Sequence, residues 1–279
     1  MRRTRPGSHP LITGDGFRGA ADAVIDALEP GLPRNPVRRG AVVFLGLDGD
    51  DGDAETRIER ALPVLRGTAV VLHNGDRLPA NPLLAEIAER ASAVWCVNYL
   101  GDDPRIRALP VGIENRWLCE NGDPADFGGR IGPDAPRAPR ILAAFRTHTA
   151  PDRPAQLSAL RELPTCDVID WLPPRDLHRR MQRYMLVASP PGNGPDCHRT
   201  WEAMYLGAVP VVLRAAFPRF GPAFPVLALD DFRELAGWSA DDIAAAHAAI
   251  AAEATDALWI DWWIDRIRRS ATDGDGIRT

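Results

Sequence analysis

The sequence predicts an α/β protein of two domains, each built on a parallel sheet. Short apolar runs of strand length alternate with longer helical segments through most of the 279 residues. Such alternation is typical of parallel strands joined by helical crossovers. The alternation is interrupted by residues 121–139, which are rich in Gly, Pro and Asp and lack periodicity, and we interpret them as a linker. A chain of this length can hold one large domain or two small ones.

Before the linker, strand-like and helix-like segments follow one another in turn. Pro82 lies in the first turn of one predicted helix, where its missing N–H is not needed. Strands are predicted at 41–45, 68–72, 93–99 and 109–111, and helices at 54–65 and 81–91.

After the linker the pattern restarts and ends in a helix with a large apolar face that carries Trp259, Trp262 and Trp263. This helix either crosses back onto the first domain or packs on its own. Strands are predicted at 140–145, 167–171, 184–188, 209–213 and 226–229, and helices at 154–163, 175–183, 240–254 and 259–269, with one more between Asp196 and Gly207. The predicted domains are 1–120, the linker 121–139, 140–258, and a terminal helix in 259–279.

Residues 184–213 are the most informative segment of the chain. An apolar run is followed by the turn Ser189–Pro195, a helix of about ten residues and a second apolar run, which is the size of one βαβ crossover. Asp196 is a suitable N-cap and Gly207 a suitable residue just beyond the C-terminus of this helix. A glycine-rich turn that leads into a helix start exposes backbone N–H groups, so we expect an anion site there.

The polar side chains at the start of this helix suit a nucleoside diphosphate. Counting from Asp196 places His198, Arg199 and Glu202 on one face. Arg199 is suited to neutralise phosphate oxygens, and Glu202 to accept both hydroxyls of a ribose. The alternative is an ion pair on a solvated helix face, which fits less well because the flanking strands are so apolar.

This segment resembles the exostosin family of glycosyltransferases. The shared features are Ser-Pro-x-Gly at 189–192, Arg199, Glu202-Ala203 and Gly-x-x-Pro-Val at 207–211. A weaker likeness continues through Phe217, Pro218 and Phe224. The resemblance implies a GT-B fold, in which two Rossmann-like domains face each other across a cleft. It also implies a hexosyl- or pentosyltransferase whose second domain holds most of a sugar nucleotide, which we expect to be UDP-linked.

Composition favours a soluble enzyme and excludes several classes of protein. The net charge of -5 argues against a nucleic-acid surface, and all 33 basic residues are Arg. Without lysine, neither a P-loop nor a pyridoxal Schiff base can form. The four cysteines lack CxxC spacing, no apolar run is long enough for a membrane helix, and no signal peptide follows the basic start. We therefore expect a cytoplasmic protein, unlike the membrane-anchored animal exostosins, that needs no cofactor besides its sugar nucleotide.

Ligands in open parallel sheets bind beyond the carboxyl ends of the strands. In the second half of the chain, this rule identifies the loops after the predicted strands as candidate donor-binding sites. Arg146 and Arg153 are candidates for binding pyrophosphate. Trp171 is a candidate for stacking on the base, although a Trp at a strand end is more often core. The predicted donor-binding residues are Arg146, Thr147, Arg153, Trp171, Ser189, Gly192, Asn193, Gly194, Arg199 and Glu202.

In the first half of the chain, the same rule identifies the loops after the predicted strands as candidate acceptor-binding sites. An inverting transfer needs a carboxylate or imidazole as general base, whereas a retaining transfer needs none. His198 either contacts the leaving phosphate or is structural. The predicted catalytic residues are Glu114, Asp76, His198 and Arg199, and the predicted acceptor-binding residues are Asp15, His73, Asn74 and Asn115.

The acidic run Asp48, Asp50, Asp51 and Asp53 invites a metal interpretation. An EF-hand is excluded because its sixth position requires Gly and holds Asp53 here. We interpret the run as a solvated loop and predict no metal.

The sequence as a whole predicts a metal-independent glycosyltransferase that moves a sugar from a nucleoside diphosphate to a hydroxyl of a glycan or small molecule. The alternatives are a nucleotide-sugar epimerase on the same fold and a non-catalytic protein that binds sugar nucleotides or glycans.

Overall fold

A computed structural model describes residues 5–118, 120, 123–128, 136–221, 223–253 and 255–272. The chain divides into two compact units, which are considered separately. Unit 1 contains the described residues within Met1–Val111, Pro218–Gly221 and Asp256–Thr279. Unit 2 contains those within Gly112–Phe217 and Pro222–Thr255.

Unit 1 is built on a five-stranded sheet in which every pairing is parallel. Its strands are β1 (Ala23–Ile25), β2 (Val42–Gly46), β3 (Ala69–His73), β4 (Ala93–Val97) and β5 (Ile106–Leu109), and its helices are α1 (Gly14–Ala20), α2 (Asp51–Ala61), α3 (Asn81–Arg90) and α9 (Ile260–Thr272). The strands lie side by side in chain order, β1-β2-β3-β4-β5. Because parallel crossovers are right-handed, this order places α2 and α3 on the same face of the sheet.

The two faces of this sheet are covered by different parts of the chain. On one face, Val43 and Leu45 of β2 pack in a core that includes Ile58 of α2 and Ile87 of α3. The opposite face is covered by the terminal helix α9, which contacts β2, β3 and β4. The ring of Trp95 in β4 meets that of Trp263 edge-on at 6.1 Å, and its indole N–H donates to Ser270 Oγ at 3.0 Å.

Unit 2 also has a parallel five-stranded sheet, but its strands are ordered differently. The strands are β6 (Ala138–Ala143), β7 (Cys166–Val168), β8 (Tyr184–Ala188), β9 (Val209–Leu213) and β10 (Leu227–Leu229), and the helices are α4 (Ala125–Gly128), α5 (Arg153–Arg161), α6 (Pro174–Met181), α7 (His198–Tyr205) and α8 (Ala240–Ala251). The order is β7-β6-β8-β9-β10, so the chain moves outward from β6 in one direction and then in the other. This is the flavodoxin-like order, with its switch point between β6 and β8.

The predicted fold class, α/β with two Rossmann-like units and parallel sheets, is confirmed. Most predicted helices and strands are present with slightly displaced ends, whereas α1 and β1 were not predicted. The predicted strand at 109–111 is displaced to Ile106–Leu109. Arg107 is a charged residue inside this strand, so the sequence there lacks a continuous apolar run. Its guanidinium lies over the ring of Trp95, 5.1 Å from the ring centroid. The predicted strand 167–171 ends at Val168, which leaves Trp171 beyond the sheet.

The predicted linker holds part of unit 2. Helix α4 lies within it, and the ring of Phe127 packs against His178 at 4.5 Å and Tyr205 at 6.4 Å. Residues 121–122 and 129–135 of the predicted linker lie outside the described residues, as does Cys119. Among the helices that the structure describes, none combines the length and apolarity needed to cross a bilayer.

Candidate functional site

The strand order of unit 2 identifies two loops at the carboxyl edge of its sheet. In open α/β sheets, ligands bind at the switch point, where neighbouring strands lead to helices on opposite faces. The switch point here lies between β6 and β8. The two loops that flank it are the one between Ala144 and Asp152 and the one between Ser189 and Cys197.

The side chain of Arg153, at the start of α5, joins these two loops. Its Nε donates to the carbonyl of Pro191 at 2.7 Å, and its Nη2 to that of Pro190 at 2.9 Å. Its Nη1 donates to the carbonyl of Arg146 at 2.8 Å. Burial lowers the pKa of Arg153 from its ordinary value. The guanidinium of Arg153 thus donates to backbone carbonyls and holds the two loops, and its role in binding pyrophosphate stays a prediction.

Two predicted residues of the β8–α7 loop also shape the backbone. A Cβ on Gly192 would lie 2.9 Å from Nη2 of Arg153, so only glycine fits without displacing that side chain. Ser189 is buried, and its hydroxyl is 2.8 Å from the Thr200 hydroxyl of α7. Both residues therefore have a structural role in this arrangement, and their donor-binding role stays a prediction. Gly194 is buried and its carbonyl accepts the Gly192 N–H, whereas Asn193 is exposed.

The start of helix α7 differs from the prediction in one respect. The N-cap position is occupied by Cys197 rather than Asp196. The Asp196 carboxylate is buried and accepts the indole N–H of Trp201 at 3.0 Å, so it fixes a core aromatic ring instead of capping the helix. Gly207 has a φ of +77°, as expected for the residue that ends this helix.

Four of the predicted donor-binding residues line one pocket at the carboxyl edge. They are Arg146, Trp171, Arg199 and Glu202. Its volume is about 120 Å³, which is room for part of a nucleotide. Trp171 is 65% exposed, so the alternative that it belongs to the core is wrong. An exposed aromatic ring beside two arginines and a carboxylate can stack on a base while the charged groups bind a sugar diphosphate.

Arg199 and Glu202 form an ion pair in the wall of this pocket. Nη1 of Arg199 is 2.9 Å from Oε2 of Glu202, and it also lies 3.2 Å from the sulfur of Met181. The two side chains are 18% and 3% exposed, so the alternative of a solvated helix face is wrong, although the ion pair itself is present. Oε2 of Glu202 and Nε of Arg199 are both sealed from solvent without a hydrogen bond among the described residues. Because both atoms are closed to solvent, a ligand in the pocket reaches them only if the two side chains shift.

His198 is oriented by the backbone of its own unit. Its Nδ1 lies 2.8 Å from the carbonyl of Gly112. A carbonyl can only accept, so Nδ1 carries the proton, and Nε2 is a hydrogen-bond acceptor when the ring is neutral. Only the imidazolium form of His198 could protonate a leaving phosphate. Thr147 opens the turn Thr147–Thr149 after β6 and is half-buried.

His178 is a pocket residue that the sequence prediction missed. It lies on α6, is 2% exposed, and shares the pocket with Arg199 and Glu202. Leu177, His178 and Met181 form the buried part of this amphipathic helix. That helical spacing could have identified His178 as an inward-facing polar residue.

In unit 1, the structure brings three of the predicted acceptor-binding residues together in a buried network. Asn74 Nδ2 donates to Asp15 Oδ1 at 3.0 Å, and the Asn74 N–H donates to His73 Nδ1 at 2.7 Å. The His73 Nε2 then carries the proton and donates to the carbonyl of Pro110 at 3.1 Å. Asp15 and His73 are 1% and 3% exposed, and burial raises the pKa of Asp15 above its ordinary value although Arg5 and Asn74 oppose it.

The remaining predicted catalytic and acceptor residues belong to different units. Asp76 is exposed in unit 1, and its carbonyl accepts from Asn98 Nδ2 at 3.2 Å. Glu114 and Asn115 belong to unit 2, where Glu114 is buried and the carbonyl of Asn115 accepts the Leu118 N–H at 3.0 Å.

Asp48, the first residue of the acidic run in unit 1, is bonded to basic and backbone groups. Oδ2 of Asp48 accepts from Arg5 Nη2 at 3.2 Å, and its Oδ1 accepts the N–H of Ala27 at 3.2 Å. The carbonyl of Asp48 also accepts from Arg57. Within the described residues, no three His, Cys, Asp or Glu side chains are grouped so that they could hold a metal ion.

A larger pocket of about 950 Å³ lies elsewhere in unit 1, between Asp22–Val24 and the irregular segment 29–41. None of the predicted site residues lines it. Its size alone therefore does not make it the functional site.

No protein-family model matches the chain, and no curated protein matches it. Among solved structures, one assigned as a UDP-N-acetylglucosamine 2-epimerase from Listeria monocytogenes is 15% identical with a TM-score of 0.42, covering 81% of this chain and 72% of the other. An alpha-glucosyltransferase in complex with UDP-glucose and DNA containing an abasic site is 10% identical with a TM-score of 0.34, covering 82% and 74%. A GtfA/B complex is 13% identical with a TM-score of 0.42, covering 85% and 58%. Likenesses this distant carry no argument about function.

Proposed function

We propose that this protein is a glycosyltransferase that moves a sugar from a nucleoside diphosphate, with UDP the expected nucleotide, to an acceptor hydroxyl. One observation carries the proposal: Arg146, Trp171, Arg199 and Glu202 line a single pocket at the carboxyl edge of the unit 2 sheet. The resemblance of residues 184–213 to the exostosin signature agrees with it, and the two Rossmann-like units suit a GT-B enzyme.

Each pocket residue has a defined part in this proposal. The exposed ring of Trp171 stacks on the base. Glu202, whose carboxylate lines the pocket, accepts hydrogen bonds from the ribose hydroxyls. Arg146 and Arg199 bind the diphosphate, and their charge stabilises it as the glycosidic bond breaks. His198 offers Nε2 at the start of α7 for a further hydrogen bond.

The arginines supply the positive charge that other transferases obtain from a metal ion. We therefore propose that transfer is metal-independent. Turnover in excess chelator agrees with this; loss of turnover that Mn²⁺ or Mg²⁺ restores would contradict it. The general base of an inverting transfer is proposed among Glu114 and Asp76.

A binding experiment tests the nucleotide site. Thermal unfolding is measured with UDP, ADP, GDP and CDP, each against its nucleoside monophosphate. A ligand at about 100 times its Kd adds about 2.7 kcal/mol to stability, which is readily detected. Absence of a shift with every nucleotide would overturn the proposal.

A turnover experiment separates the three function classes. UDP-sugars are incubated with the protein, with and without a panel of hydroxyl acceptors. Release of UDP, enhanced by an acceptor, supports a transferase. A changed sugar on an intact diphosphate supports the epimerase alternative, and binding without turnover supports the non-catalytic one.

Arg199→Lys tests the phosphate contact. Lysine keeps the charge but loses the planar fork that holds two oxygens. We expect kcat to fall at least about tenfold, which is roughly 1.4 kcal/mol of transition-state stabilisation. Arg179→Lys, on the exposed side of α6, is the matched control and should leave kcat unchanged. A wild-type kcat for Arg199→Lys would remove this residue from the reaction.

A further inference from the structure

His178 is held in the wall of the unit 2 pocket by groups outside the pocket. Its Nδ1 lies 3.4 Å from Oδ2 of Asp126, and its ring packs on Phe127 with centroids 4.5 Å apart. Oδ1 of Asp126 is 3.7 Å from Nε of Arg175, so the carboxylate is also fixed from its other side. The imidazole is 2% exposed, which leaves it little freedom to turn.

These contacts decide which ring nitrogen is available to a ligand. A carboxylate accepts, so the proton of the neutral ring lies on Nδ1, and Nε2 keeps its lone pair. In the part of the chain that the structure describes, no hydrogen bond to Nε2 is present, and this atom is not among the polar atoms sealed from solvent without a partner. Because His178 lines the pocket, Nε2 is open to what the pocket holds.

The pocket wall therefore presents two kinds of hydrogen-bond acceptor. Glu202 contributes a carboxylate, whose Oε2 pairs with Nη1 of Arg199 at 2.9 Å, and His178 contributes Nε2. Phosphate oxygens cannot satisfy acceptors, whereas hydroxyl groups can. A ribose supplies two neighbouring hydroxyls.

We infer that His178 is a further specificity residue, whose Nε2 accepts a hydrogen bond from a ribose hydroxyl beside Glu202, with Asp126 as the positioning residue that fixes the tautomer. The inference rests on the proposed nucleotide site. It goes beyond that proposal because it names a residue outside the 184–213 segment and assigns the hydroxyls a second acceptor.

Binding of UDP, 2′-deoxy-UDP and 3′-deoxy-UDP to matched variants tests this inference. His178→Asn keeps a polar group near the Nδ1 position but removes the acceptor at Nε2. His178→Gln places an amide oxygen near Nε2. His247→Gln is the control, since His247 lies on α8 of the same unit, half-buried, outside the pocket.

We expect His178→Asn to weaken UDP binding about three- to tenfold, the range for one hydrogen bond. It should leave unchanged the affinity for whichever deoxy ligand lacks the bonded hydroxyl. His178→Gln should retain more affinity than His178→Asn, and His247→Gln should match the wild type. Equal losses with all three ligands, or no loss with any, would overturn the inference.

A spectroscopic measurement tests the part of Asp126. The ¹⁵N signals of His178, assigned by comparison with His178→Gln, should show the tautomer protonated at Nδ1, and its Nε2 signal should move on addition of UDP. In Asp126→Ala the tautomers should mix, and UDP affinity should fall less than in His178→Asn. An unchanged tautomer in Asp126→Ala would remove Asp126 from the inference.

Different results would overturn the proposed nucleotide site and the proposed role of His178. Wild-type protein that binds no nucleotide would overturn both. Wild-type binding of UDP with the same affinity in His178→Asn would overturn only the role of His178.

Discussion

The carboxyl edges of the two sheets carry similar side chains but hold them differently. In unit 1, Asp15, His73 and Asn74 bond to one another and to the backbone in a buried network. In unit 2, Arg199 and Glu202 pair at the wall of a pocket and leave buried polar atoms without hydrogen bonds. The first arrangement bonds its side chains mainly to one another, and the second places its charged groups at the wall of a pocket, where a ligand can meet them.

Strand order gives a physical reason for the difference. The strands of unit 1 are arranged in chain order, so its crossovers follow one direction and the edge has no switch point. In unit 2 the direction reverses at β6, and a pocket at the carboxyl edge is lined by the residues that follow β6 and β7 and by side chains of α6 and α7. We therefore expect substitutions at the unit 1 edge to change stability, and substitutions in the pocket to change binding.

The largest effect is expected at Arg153, which affects both stability and binding because it joins the loop after β6, whose Arg146 lines the pocket, to the loop after β8. Arg153→Leu removes three hydrogen bonds from a cation to the carbonyls of Arg146, Pro190 and Pro191. Bonds to charged groups contribute roughly 1.5–3 kcal/mol each and do not add fully, so we expect a loss of about 3–5 kcal/mol of unfolding free energy.

Urea unfolding measures this loss, and UDP binding should disappear with it. Arg161→Leu is the control on the same helix, since Arg161 is 56% exposed and its partner Asp170 is 91% exposed. Its unfolding free energy should stay within about 0.5 kcal/mol of the wild type. Similar stabilities for the two variants would contradict the role given to Arg153.

The variant Glu202→Ala tests UDP binding at the pocket, as distinct from the unfolding free energy tested at Arg153. If Glu202 accepts the ribose hydroxyls, UDP binding should weaken by roughly 1.5–3 kcal/mol, the range for a hydrogen bond to a charged group. Calorimetric titration of UDP measures the change, and Glu162→Ala, an exposed position after α5, is the control. Unchanged UDP affinity in folded Glu202→Ala would exclude the assignment.

Gly14→Ala is the corresponding test of the unit 1 network. An added Cβ would lie 1.7 Å from Asn74 Oδ1 and 2.5 Å from His73 Nδ1, so both buried side chains must move. Overpacking of this kind costs about 1–3 kcal/mol. Gly19→Ala on the same helix meets nothing within 4 Å and should be neutral or slightly stabilising.

The two α1 variants are compared by urea unfolding and UDP titration. Gly14→Ala should lose stability while its UDP affinity equals that of the wild type. A changed UDP affinity would show that the unit 1 edge takes part in nucleotide binding, and would end the contrast between the two edges.

The smallest expected effect is the pH dependence of Asp15→Asn. Burial raises the folded-state pKa of Asp15 above 3.8, so its favourable contribution is present below pH 3.8 and is lost as pH rises through the folded-state value. Asparagine does not ionise and escapes this loss. The stability of the variant relative to the wild type should therefore improve as pH rises above 3.8, by at most about 1.4 kcal/mol per pH unit.

Asp26, in the same unit, has a pKa shift opposite in direction to that of Asp15. Burial tends to raise its pKa, but hydrogen bonds from Arg18 and from the N–H groups of Glu29 and Leu28 outweigh burial and lower it. Its contribution is present above pH 3.8 and lost as pH falls through the lowered value. Unfolding free energies between pH 2.5 and 7 test both groups, and a difference between Asp15→Asn and wild type that is constant with pH would contradict the raised pKa.

Much of the fold could be predicted because its signals are local. Apolar runs of five residues at 184–188 and 209–213 are the observed β8 and β9, and the positive φ of Gly207 ends α7 where glycine was expected to end it. Strand β1 was missed because its three residues form a strand only by pairing with β2. Asp196 was misassigned because a side-chain oxygen suits a helix cap or an indole N–H equally well in sequence.

Residue types at short spacing are sufficient to predict the α/β class, the β8–α7–β9 unit and the chemical character of Arg199 and Glu202. Which polar side chains share a site depends on the folded chain. Folding turns Arg153 toward backbone carbonyls, exposes Trp171 and places His178 in the same pocket as Glu202, because strand order and long-range packing set the surroundings of each side chain. The residue type fixes how many hydrogen bonds a side chain can make. Whether the protein or a ligand satisfies them depends on neighbours that are distant in the chain.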